Sequence, residues 1–284
     1  MAAYQSIVLE PVAAKEQKIA IVDEAVIEKK KSRRILTGRM IVGILILFCW
    51  EFFTRVGLLD SYFWSSPALI AKTAYIQFAQ KNMLYEIAFT SGSTILGFIT
   101  GTLFGAILGM SFWWSRVYAG VSEPYLIILN ALPKLALAPI LVIMFGIGFP
   151  SKVILSFLMT VITCAIATFG GVKSVDSSME TLLYSLGANR FQVFTKVVIP
   201  STMPWIVSCL RINISLALAG AIVGEFISSQ HGIGRMISYA GTILDTNLVW
   251  VGVVILSILS MVMYGSVLLL EKWLTKHSAV LGNK

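Results

Sequence analysis

The chain has 284 residues, of which 57% are hydrophobic and only 13% are charged, and its mean hydropathy is +0.84. A soluble domain of this length needs far fewer apolar residues for one core, so the composition excludes an ordinary soluble protein. The formal net charge is +8, but the basic residues flank apolar runs and lack the interleaved aromatic residues of a nucleic-acid-binding patch. We therefore expect an all-α integral membrane protein whose basic residues set its orientation and bind no nucleic acid.

Cysteine and histidine residues indicate neither a disulfide framework nor a metal site. The three cysteines, Cys49, Cys164 and Cys209, all lie inside apolar runs, and their number is odd. Histidine occurs only at positions 231 and 277. We expect no metal ligands and no structural disulfides.

The N-terminal residues 1–38 mix acidic, basic and small apolar residues, and no run among them is long enough to bury itself. We expect a cytosolic tail. Because this polar stretch precedes the first apolar run, the N-terminus does not resemble a cleavable signal peptide. The first span is predicted from residue 40 to about residue 59, with Glu51 and Arg55 paired one helical turn apart.

The second span is preceded by an amphipathic stretch at 68–80, which we predict to be an interfacial helix on the outer side. The span itself is predicted at 87–112. Within it, glycine recurs at every fourth position: Gly97, Gly101, Gly105 and Gly109. Because one face of this helix then has no side chains, we expect another helix to pack closely against it.

The third span, predicted at 124–145, contains Pro133 and Pro139. Proline donates no backbone hydrogen bond and its ring clashes with the preceding turn, so this helix should bend or break. Lys134 lies at the break. A cation and freed carbonyls at such a place can line a pathway, although the Lys134 side chain could instead extend to the membrane surface.

Three further spans are predicted at 153–169, 205–226 and 248–270. Six spans in total place both termini on the same side of the membrane. Lysine and arginine are more numerous in the segments that share this side, which predicts cytosolic termini. The transmembrane domain would then cover 39–272, and residues 273–284 would form a short cytosolic tail.

The longest inner segment, 173–204, is too amphipathic to be a simple linker. Ser177 and Glu180 have the spacing of a capping box, and Gly187 permits the left-handed backbone that ends a helix. A second amphipathic helix is predicted at 190–198. The bent pair would present five large apolar residues: Leu183, Tyr184, Leu186, Phe191 and Phe194. This much apolar surface predicts a protein partner, unless the pair folds back against its own membrane domain.

The sequence LLYSLGANRFQVFTKVVIPSTMPWIVSCLRI at 182–212 resembles the cytoplasmic coupling loop of the permeases of binding-protein-dependent ABC importers of type I. The family pattern is Glu-Ala-Ala, three residues, Gly, nine residues, then Ile-x-Leu-Pro. Gly187, Val197, Ile199 and Pro200 fall at this spacing. The family's Glu-Ala-Ala positions are here Thr181, Leu182 and Leu183.

Two further stretches are similar to one branch of this family, which handles nitrate, sulfonates, taurine, bicarbonate or pyrimidine-type vitamin precursors. They are LPKLALAPILVIMFGIG at 132–148 and GEFISSQHGIGRMI at 224–237. The resemblance implies a permease that forms a homodimer around a central pathway, two cytosolic ABC ATPase subunits, and an extracytoplasmic substrate-binding protein. It also implies a multi-pass location in a bacterial inner (plasma) membrane and a small anion or vitamin precursor as substrate.

The resemblance implies that ATP and Mg bind to the ATPase partner and that this chain is no enzyme and binds no cofactor itself. The absence of a Gly-x-x-x-x-Gly-Lys-Ser/Thr sequence agrees with this. It further implies a set of ATPase-coupling residues: Glu180, Leu182, Leu183, Tyr184, Leu186, Gly187, Ala188, Phe191 and Pro200. Glu180 stands one residue before the position of the family's glutamate.

Ionisable residues inside the apolar runs are candidates for the translocation pathway or a gate, because a charge at the centre of a span costs about 2.5–3.5 kcal/mol on insertion scales. Arg211 is predicted to neutralise a carboxylate in the bundle, and Glu225 to order an outer loop or gate. If Lys134 and Arg211 line a cavity, its positive field would favour an anionic substrate. The candidates are Pro133, Lys134, Arg211 and Glu225.

Two alternatives to an importer permease remain at this point. A secondary transporter would use an ion gradient, and such folds often contain paired broken helices in two related halves, but the sequence has no convincing internal repeat. A membrane enzyme is the other alternative. The sequence contains no Gly-x-Ser-x-Gly and no His-Glu-x-x-His motif, so enzyme chemistry has no recognisable residues here.

Overall fold

The computed structural model describes residues 34–281, and this part of the chain is helical, without strands. Its α-helices are α1 (Arg34–Arg55), α2 (Ser61–Trp64), α3 (Pro67–Gln80), α4 (Met83–Ser111), α5 (Arg116–Ala131), α6 (Ala138–Phe145), α7 (Phe149–Lys173), α8 (Ser177–Ser185), α9 (Arg190–Val193), α10 (Ile199–Ile227), α11 (Ile233–Thr242) and α12 (Thr246–Leu281). Short 3₁₀ helices cover Phe112–Trp114 and Lys134–Leu137, and a π-helix covers Phe194–Val198.

Six membrane spans were predicted, and the described residues contain five helices long and apolar enough to cross a membrane. The bent pair Arg116–Ala131 and Lys134–Phe145 passes the same test as one broken span, which makes a sixth. The predicted multi-spanning all-α fold is therefore confirmed. Residues 1–33 of the predicted N-terminal tail lie outside the described residues.

The first of two compact units ends at Ala68. In it, the predicted pair is confirmed, because Arg55 Nε lies 2.7 Å from Glu51 Oε1. The other carboxylate oxygen of Glu51 accepts a hydrogen bond of 3.0 Å from the backbone N–H of Ala68, in the first turn of α3. Within this unit, one carboxylate thus pairs with Arg55 and also accepts the N–H of Ala68, and a helix N-terminus favours such a negative charge.

The second unit, from Leu69 onward, is built around α4, α7 and α10, which pack against one another along their lengths. One buried apolar cluster joins α4, α10 and α12 and includes Phe98, Ile214 and Met263. Buried polar groups also connect the helices. Asn213 donates from Nδ2 to Thr102 Oγ1 at 3.0 Å, a contact typical of helix association in lipid.

The four glycines of α4 face α7, and the two helices approach so closely that no side chain fits between them. A Cβ at Gly97 or Gly101 would lie 2.2 Å from Ser156 Cβ or 1.9 Å from Thr160 Oγ1. At Gly105 a backbone oxygen of α7 would lie at 2.4 Å, and at Gly109 a backbone oxygen and Thr168 Cβ would both lie at 2.6 Å. The glycine stripe is therefore a helix-packing surface.

The proline-containing third span is broken as predicted. The segments on either side of the break differ in direction by 77°. The Lys134 side chain turns back to the end of α5, where its Nζ donates to the backbone oxygen of Asn130 at 3.1 Å and to Asn130 Oδ1 at 3.2 Å. Beyond the break, Ala138 and Leu141 of α6 pack on Leu155 of α7.

Two helices between the spans were not predicted. The short helix α2 follows α1 at Ser61–Trp64, and α11 forms at Ile233–Thr242, between the fifth and sixth spans. Gly232 precedes α11 with φ +110 and ψ 157, a backbone conformation that only glycine adopts without strain. The last helix, α12, continues beyond the predicted limit of residue 270 to Leu281.

Candidate functional site

The candidate site is the bent segment Ser177–Val198 between α7 and α10, called the elbow below. Its first limb is α8. The predicted capping box of Ser177 and Glu180 is wrong, because Asp176 caps the helix by accepting a hydrogen bond of 2.8 Å from the N–H of Ser178. Glu180 is engaged elsewhere: its Oε1 accepts a hydrogen bond of 2.8 Å from Trp113 Nε1.

The turn of the elbow lies at Gly187, which has φ +83. The N–H of Gly187 bonds to the carbonyl of Tyr184 at 3.0 Å, and the N–H of Ala188 bonds to the carbonyl of Leu183 at 3.0 Å. These two bonds satisfy carbonyls at the end of α8, as expected for a helix that ends in a left-handed glycine. The second limb therefore leaves at a fixed angle.

The second limb was predicted to be a separate helix that ends at residue 198, and this prediction is wrong. It opens with a capping box in which Asn189 and Gln192 exchange side-chain and backbone hydrogen bonds, both at 2.8 Å. It then continues through the π-helix into α10, so that Arg190–Ile227 is one helical segment. Pro200 lies in the first turn of α10, and the π-helix before it widens the turn that the proline ring would otherwise clash with.

The outer surface of the elbow is apolar, and the described residues leave it exposed. Leu186 at the bend is 74% exposed. Four further large side chains on the elbow are exposed: Met179, Leu182, Tyr184 and Phe191. Leu183 and Ala188 are only half-buried, whereas Pro200 is exposed. Phe194 was expected on this surface but is half-buried, because it packs against two tryptophans.

These tryptophans end the span of α4 and hold the elbow from its inner side. The group of Trp113, Trp114, Glu180, Arg190 and Phe194 is called the tryptophan clamp below. The guanidinium of Arg190 lies 5.5 Å from both indole rings, and its Nη2 donates to the Trp114 carbonyl. The Phe194 ring lies 5.4 Å and 5.5 Å from the two indoles. The clamp thus connects both limbs of the elbow to the turn between α4 and α5.

The sequence did not predict the clamp, although the paired tryptophans at the end of an apolar run are an available sign of a membrane–water interface. Their partners lie 67 and 76 residues further along the chain. Helical periodicity reports contacts within one element and carries no information on such pairs.

Arg211 has the structural partner that was expected. Its guanidinium forms an ion pair with Glu271 of α12, with Nε 2.9 Å from Oε2 and Nη2 3.1 Å from Oε1. Two parallel contacts of this kind match the geometry of a carboxylate. The charge of Arg211 is therefore neutralised within the bundle.

Glu225 lies at the opposite end of α10 from the elbow and is almost fully buried, with 1% of its surface exposed. Its Oε2 accepts hydrogen bonds from Thr90 Oγ1 at 3.1 Å and from the N–H of Gly234 at 2.7 Å. Glu86 accepts the N–H of Gly232. The first turn of α11 is thus tied to α4 and α10 by carboxylates, the group that a helix N-terminus favours.

Lys152 completes this end of the bundle and was not predicted as a buried residue. It is 0% exposed. Its Nζ donates to the carbonyls of Ile147 and Ser228, both at 2.5 Å, and to Ser151 Oγ at 3.1 Å. All three ammonium donors have acceptors. This lysine therefore fastens the loop before α7 to the segment after α10.

We expect the Gly232→Ala variant to lose more stability than Gly146→Ala. Both glycines have similar backbone angles, φ +110 and ψ 157 against φ +85 and ψ 173, so alanine costs about 1–3 kcal/mol of strain at each. Only at Gly232 does the new Cβ also overlap a neighbour, 2.2 Å from Glu225 Cδ. Thermal unfolding of the purified proteins measures the difference. Equal midpoints would contradict a tight contact between Glu225 and this segment.

The described residues contain no cluster of three or more histidine, cysteine, aspartate or glutamate side chains that would hold a metal ion. Cys164 and Cys209 lie with their sulfur atoms 3.5 Å apart in the core between α7 and α10. Both are free thiols. Their contact is part of the packing of these two helices.

Residues 101–276 match the model of the family described as binding-protein-dependent transport system inner membrane component. The formylaminopyrimidine transport permease protein ThiX of Halalkalibacterium halodurans is 29% identical over 80% of this chain and 90% of its own length. The taurine transport system permease protein TauC of Escherichia coli is 30% identical over 70% of this chain and 72% of its own length.

Similarity also extends to a solved structure of a bacterial ABC transporter involved in the import of the acidic polysaccharide alginate. Its TM-score is 0.60 at 13% identity, with 86% of this chain and 97% of that chain covered, so it shows the fold. The curated relatives are permease subunits of importers for small substrates, which decides against the secondary transporter and the membrane enzyme. The chain belongs to the family of inner membrane permease components of binding-protein-dependent ABC importers.

Proposed function

We propose that the elbow is the docking site for a cytosolic ABC ATPase, and that this chain turns the closure of two such ATPases into alternating access of a translocation pathway. The observation that carries the proposal is the exposed apolar surface at the bend of the elbow, from Leu182 to Phe191. Surface of this kind at a membrane protein's soluble edge favours a protein partner. ATP and Mg would bind to the partner, which performs the hydrolysis.

The transmission of movement would use the tryptophan clamp. A load applied at the bend reaches α10 directly, because Arg190–Ile227 is continuous. Through Trp113 and Trp114 the same load reaches the turn that joins α4 to α5. The elbow, α10 and this turn would then move as one body.

The pathway would form between two copies of the chain, with the broken third span at its lining. Pro133 creates the break, and beside it lies the half-buried Lys134, whose ammonium group donates to Asn130. Arg211 adds no net positive charge to this pathway, since Glu271 neutralises it. We propose a small anion or vitamin precursor as substrate, with Lys134 as the cation that contacts it.

The outer end of the bundle would receive the substrate-binding protein. Glu225, Glu86 and Lys152 hold α11 and the segment before it in a fixed position there. A preformed surface of this kind lowers the entropy lost on docking. Both termini would lie in the cytosol, on the side of the elbow.

Copurification tests the docking proposal. The chain isolated from its native membrane should bring with it a nucleotide-hydrolysing subunit that contains a Gly-x-x-x-x-Gly-Lys-Ser/Thr motif. Leu186→Asp should reduce the recovered ATPase by about tenfold or more, because a charge would have to be buried in an apolar groove.

The matched control is Leu244→Asp, at the other end of the bundle. Leu244 is 67% exposed, close to the 74% of Leu186, and its φ of +57 is one that aspartate tolerates. This control should retain the ATPase. Equal recovery with both variants, or no ATPase with the native chain, would reject the elbow as the docking site.

A further inference from the structure

A cavity of about 500 Å³ lies on the inner side of the elbow, called the interfacial cavity below. Its walls come from the 3₁₀ helix after α4, the first turns of α5, the end of α7, and the elbow. A volume of this size is within the range of cavities that hold small ligands. The docking proposal uses the exposed surface at the bend of the elbow, with Tyr184 common to both surfaces, and leaves this cavity unassigned.

The interfacial cavity lies at the level where the membrane spans end. The span Met83–Trp114 and the span Phe149–Lys173 both finish beside it, and the segments Arg116–Ala131 and Arg190–Ile227 both start there. Tryptophan and basic side chains at span ends mark the headgroup layer of a bilayer. A ligand in this cavity would therefore share the layer with lipid headgroups.

The charged groups of the cavity leave one uncompensated cation. Lys173 is paired with Glu123 at 2.6 Å, and Glu180 accepts the indole N–H of the clamp. With Arg190 and Arg116 included, three cations face two carboxylates, which leaves a single positive charge. Arg190 is held by the clamp, whereas Arg116 forms no hydrogen bond or ion pair with the part of the chain that the structure describes, and its side chain is exposed.

The remaining wall of the cavity is apolar. Phe112 and Phe169 are both buried and lie in edge contact, with ring centroids 4.8 Å apart. Val172 and Ala119 extend this wall toward the membrane spans. A ligand that matches both sides has one negative charge and an apolar part attached to it.

We propose that the interfacial cavity binds the headgroup of a singly charged anionic phospholipid, with the phosphodiester on Arg116 and the start of an acyl chain against Phe112 and Phe169. A phosphodiester carries the one negative charge that the cavity lacks, and a guanidinium can bind two of its oxygens at once. Basic pockets between spans at the inner side of a membrane are suited to such headgroups. The bound lipid would link α5 to the elbow through the clamp.

The proposal requires only that the chain spans a bilayer, so it can fail or succeed independently of ATPase docking. The test uses the purified full chain, together with any subunits that copurify, in vesicles. Brominated phosphatidylglycerol and brominated phosphatidylcholine quench tryptophan fluorescence on contact, and Trp113 lines the cavity. The measured quantity is the preference for phosphatidylglycerol over phosphatidylcholine.

We expect the native chain to prefer phosphatidylglycerol, and Arg116→Gln to reduce that preference by about tenfold, as expected for a lost charge-assisted hydrogen bond. Arg116→Lys keeps the charge but not the two parallel contacts, so its preference should lie between those of the native chain and Arg116→Gln. Lys196→Gln is the control, because Lys196 is an exposed cation of the elbow that does not line the cavity. It should leave the preference unchanged.

Three results would overturn the proposal. The native chain could show no preference between the two lipids, Lys196→Gln could lose as much preference as Arg116→Gln, or inorganic phosphate could displace the brominated lipid. The last result would assign the cavity to free phosphate. A thermal unfolding midpoint for Arg116→Gln close to that of the native chain verifies that the variant is folded.

Discussion

Gly105→Ala should separate α4 from α7 and lower the stability of the whole bundle. The added Cβ would lie 2.4 Å from the Val161 carbonyl oxygen, 2.7 Å from Cys164 Cβ and 3.1 Å from the Ala165 backbone nitrogen. None of these atoms belongs to a side chain that can rotate away, so the helices themselves must move apart. Overpacking a close contact costs about 1–3 kcal/mol. For a domain of this size that corresponds to a fall of roughly 2–4 °C in the unfolding midpoint per kcal/mol.

The loss would extend beyond one contact, because glycine allows the approach of the two backbones along the whole stripe. Differential scanning fluorimetry in detergent measures the midpoint, and the amount of protein inserted in the membrane gives a second readout. Gly265→Ala on α12 is the matched control, since a Cβ there meets nothing within 4 Å. In a helix, this control should be neutral or slightly stabilising.

If Gly105→Ala unfolded at the same temperature as Gly265→Ala, the close approach of α4 and α7 would be wrong. Gly101→Ala should give a smaller loss than Gly105→Ala. At Gly101 the nearest atom is the Thr160 hydroxyl oxygen at 1.9 Å, and the nearest backbone atom is at 2.9 Å. A hydroxyl can rotate, whereas a carbonyl of a neighbouring helix cannot.

Local features of the sequence predicted a large part of this structure. The apolar runs predicted the spans, Pro133 predicted the broken helix, and Gly187 predicted the turn of the elbow. Each of these follows from the conformational preferences of one residue or from the period of one helix. The close packing along the α4 glycines also follows from their spacing, although the identity of the partner helix does not.

The features that escaped prediction depend on residues far apart in the chain. Ser177 and Glu180 have the spacing of a capping box, yet Trp113 engages the carboxylate and Asp176 provides the cap. In the sequence, Lys152 is an ordinary charge near the end of a span. In the structure it is buried, and its ammonium group donates to carbonyls of the segments before α7 and after α10. Tertiary hydrogen bonds of this kind are stronger in a water-poor interior than a local alternative at the surface.

With an ATPase docked on the elbow as proposed, Trp113→Ala should leave that ATPase bound but weaken the response of α5 to ATP. The exposed side chains of the elbow that would bind the partner are not altered by this change. What is lost is the indole that donates to Glu180 at 2.8 Å and packs on Phe194 and Arg190. Coupling residues of this kind contribute about 0.5–2 kcal/mol, or roughly 2- to 30-fold in the ratio of the two conformations.

Spin-label distance measurements in vesicles test this response without knowledge of the substrate. A label at Tyr125→Cys lies on the exposed face of α5, and Cys49, which is only partly buried, is first replaced by serine. In the proposed assembly of two copies of the native chain, ATP with vanadate should change the distance between their labels. In Trp113→Ala, the ratio of molecules with the changed distance to molecules with the original distance should fall roughly 2- to 30-fold. The rate of ATP hydrolysis should persist.

Two further variants separate the parts of the clamp. Trp113→Phe keeps a ring against Arg190 and Phe194 but loses the N–H that Glu180 accepts, so its response should lie between those of the native chain and Trp113→Ala. Tyr75→Ala removes an exposed aromatic residue of α3 and should change nothing. If α5 responded fully in Trp113→Ala, movement would have to pass through the continuous helix Arg190–Ile227 alone. The clamp would then serve only to hold the elbow in position, since a rigid covalent connection to α10 would suffice to move the bundle.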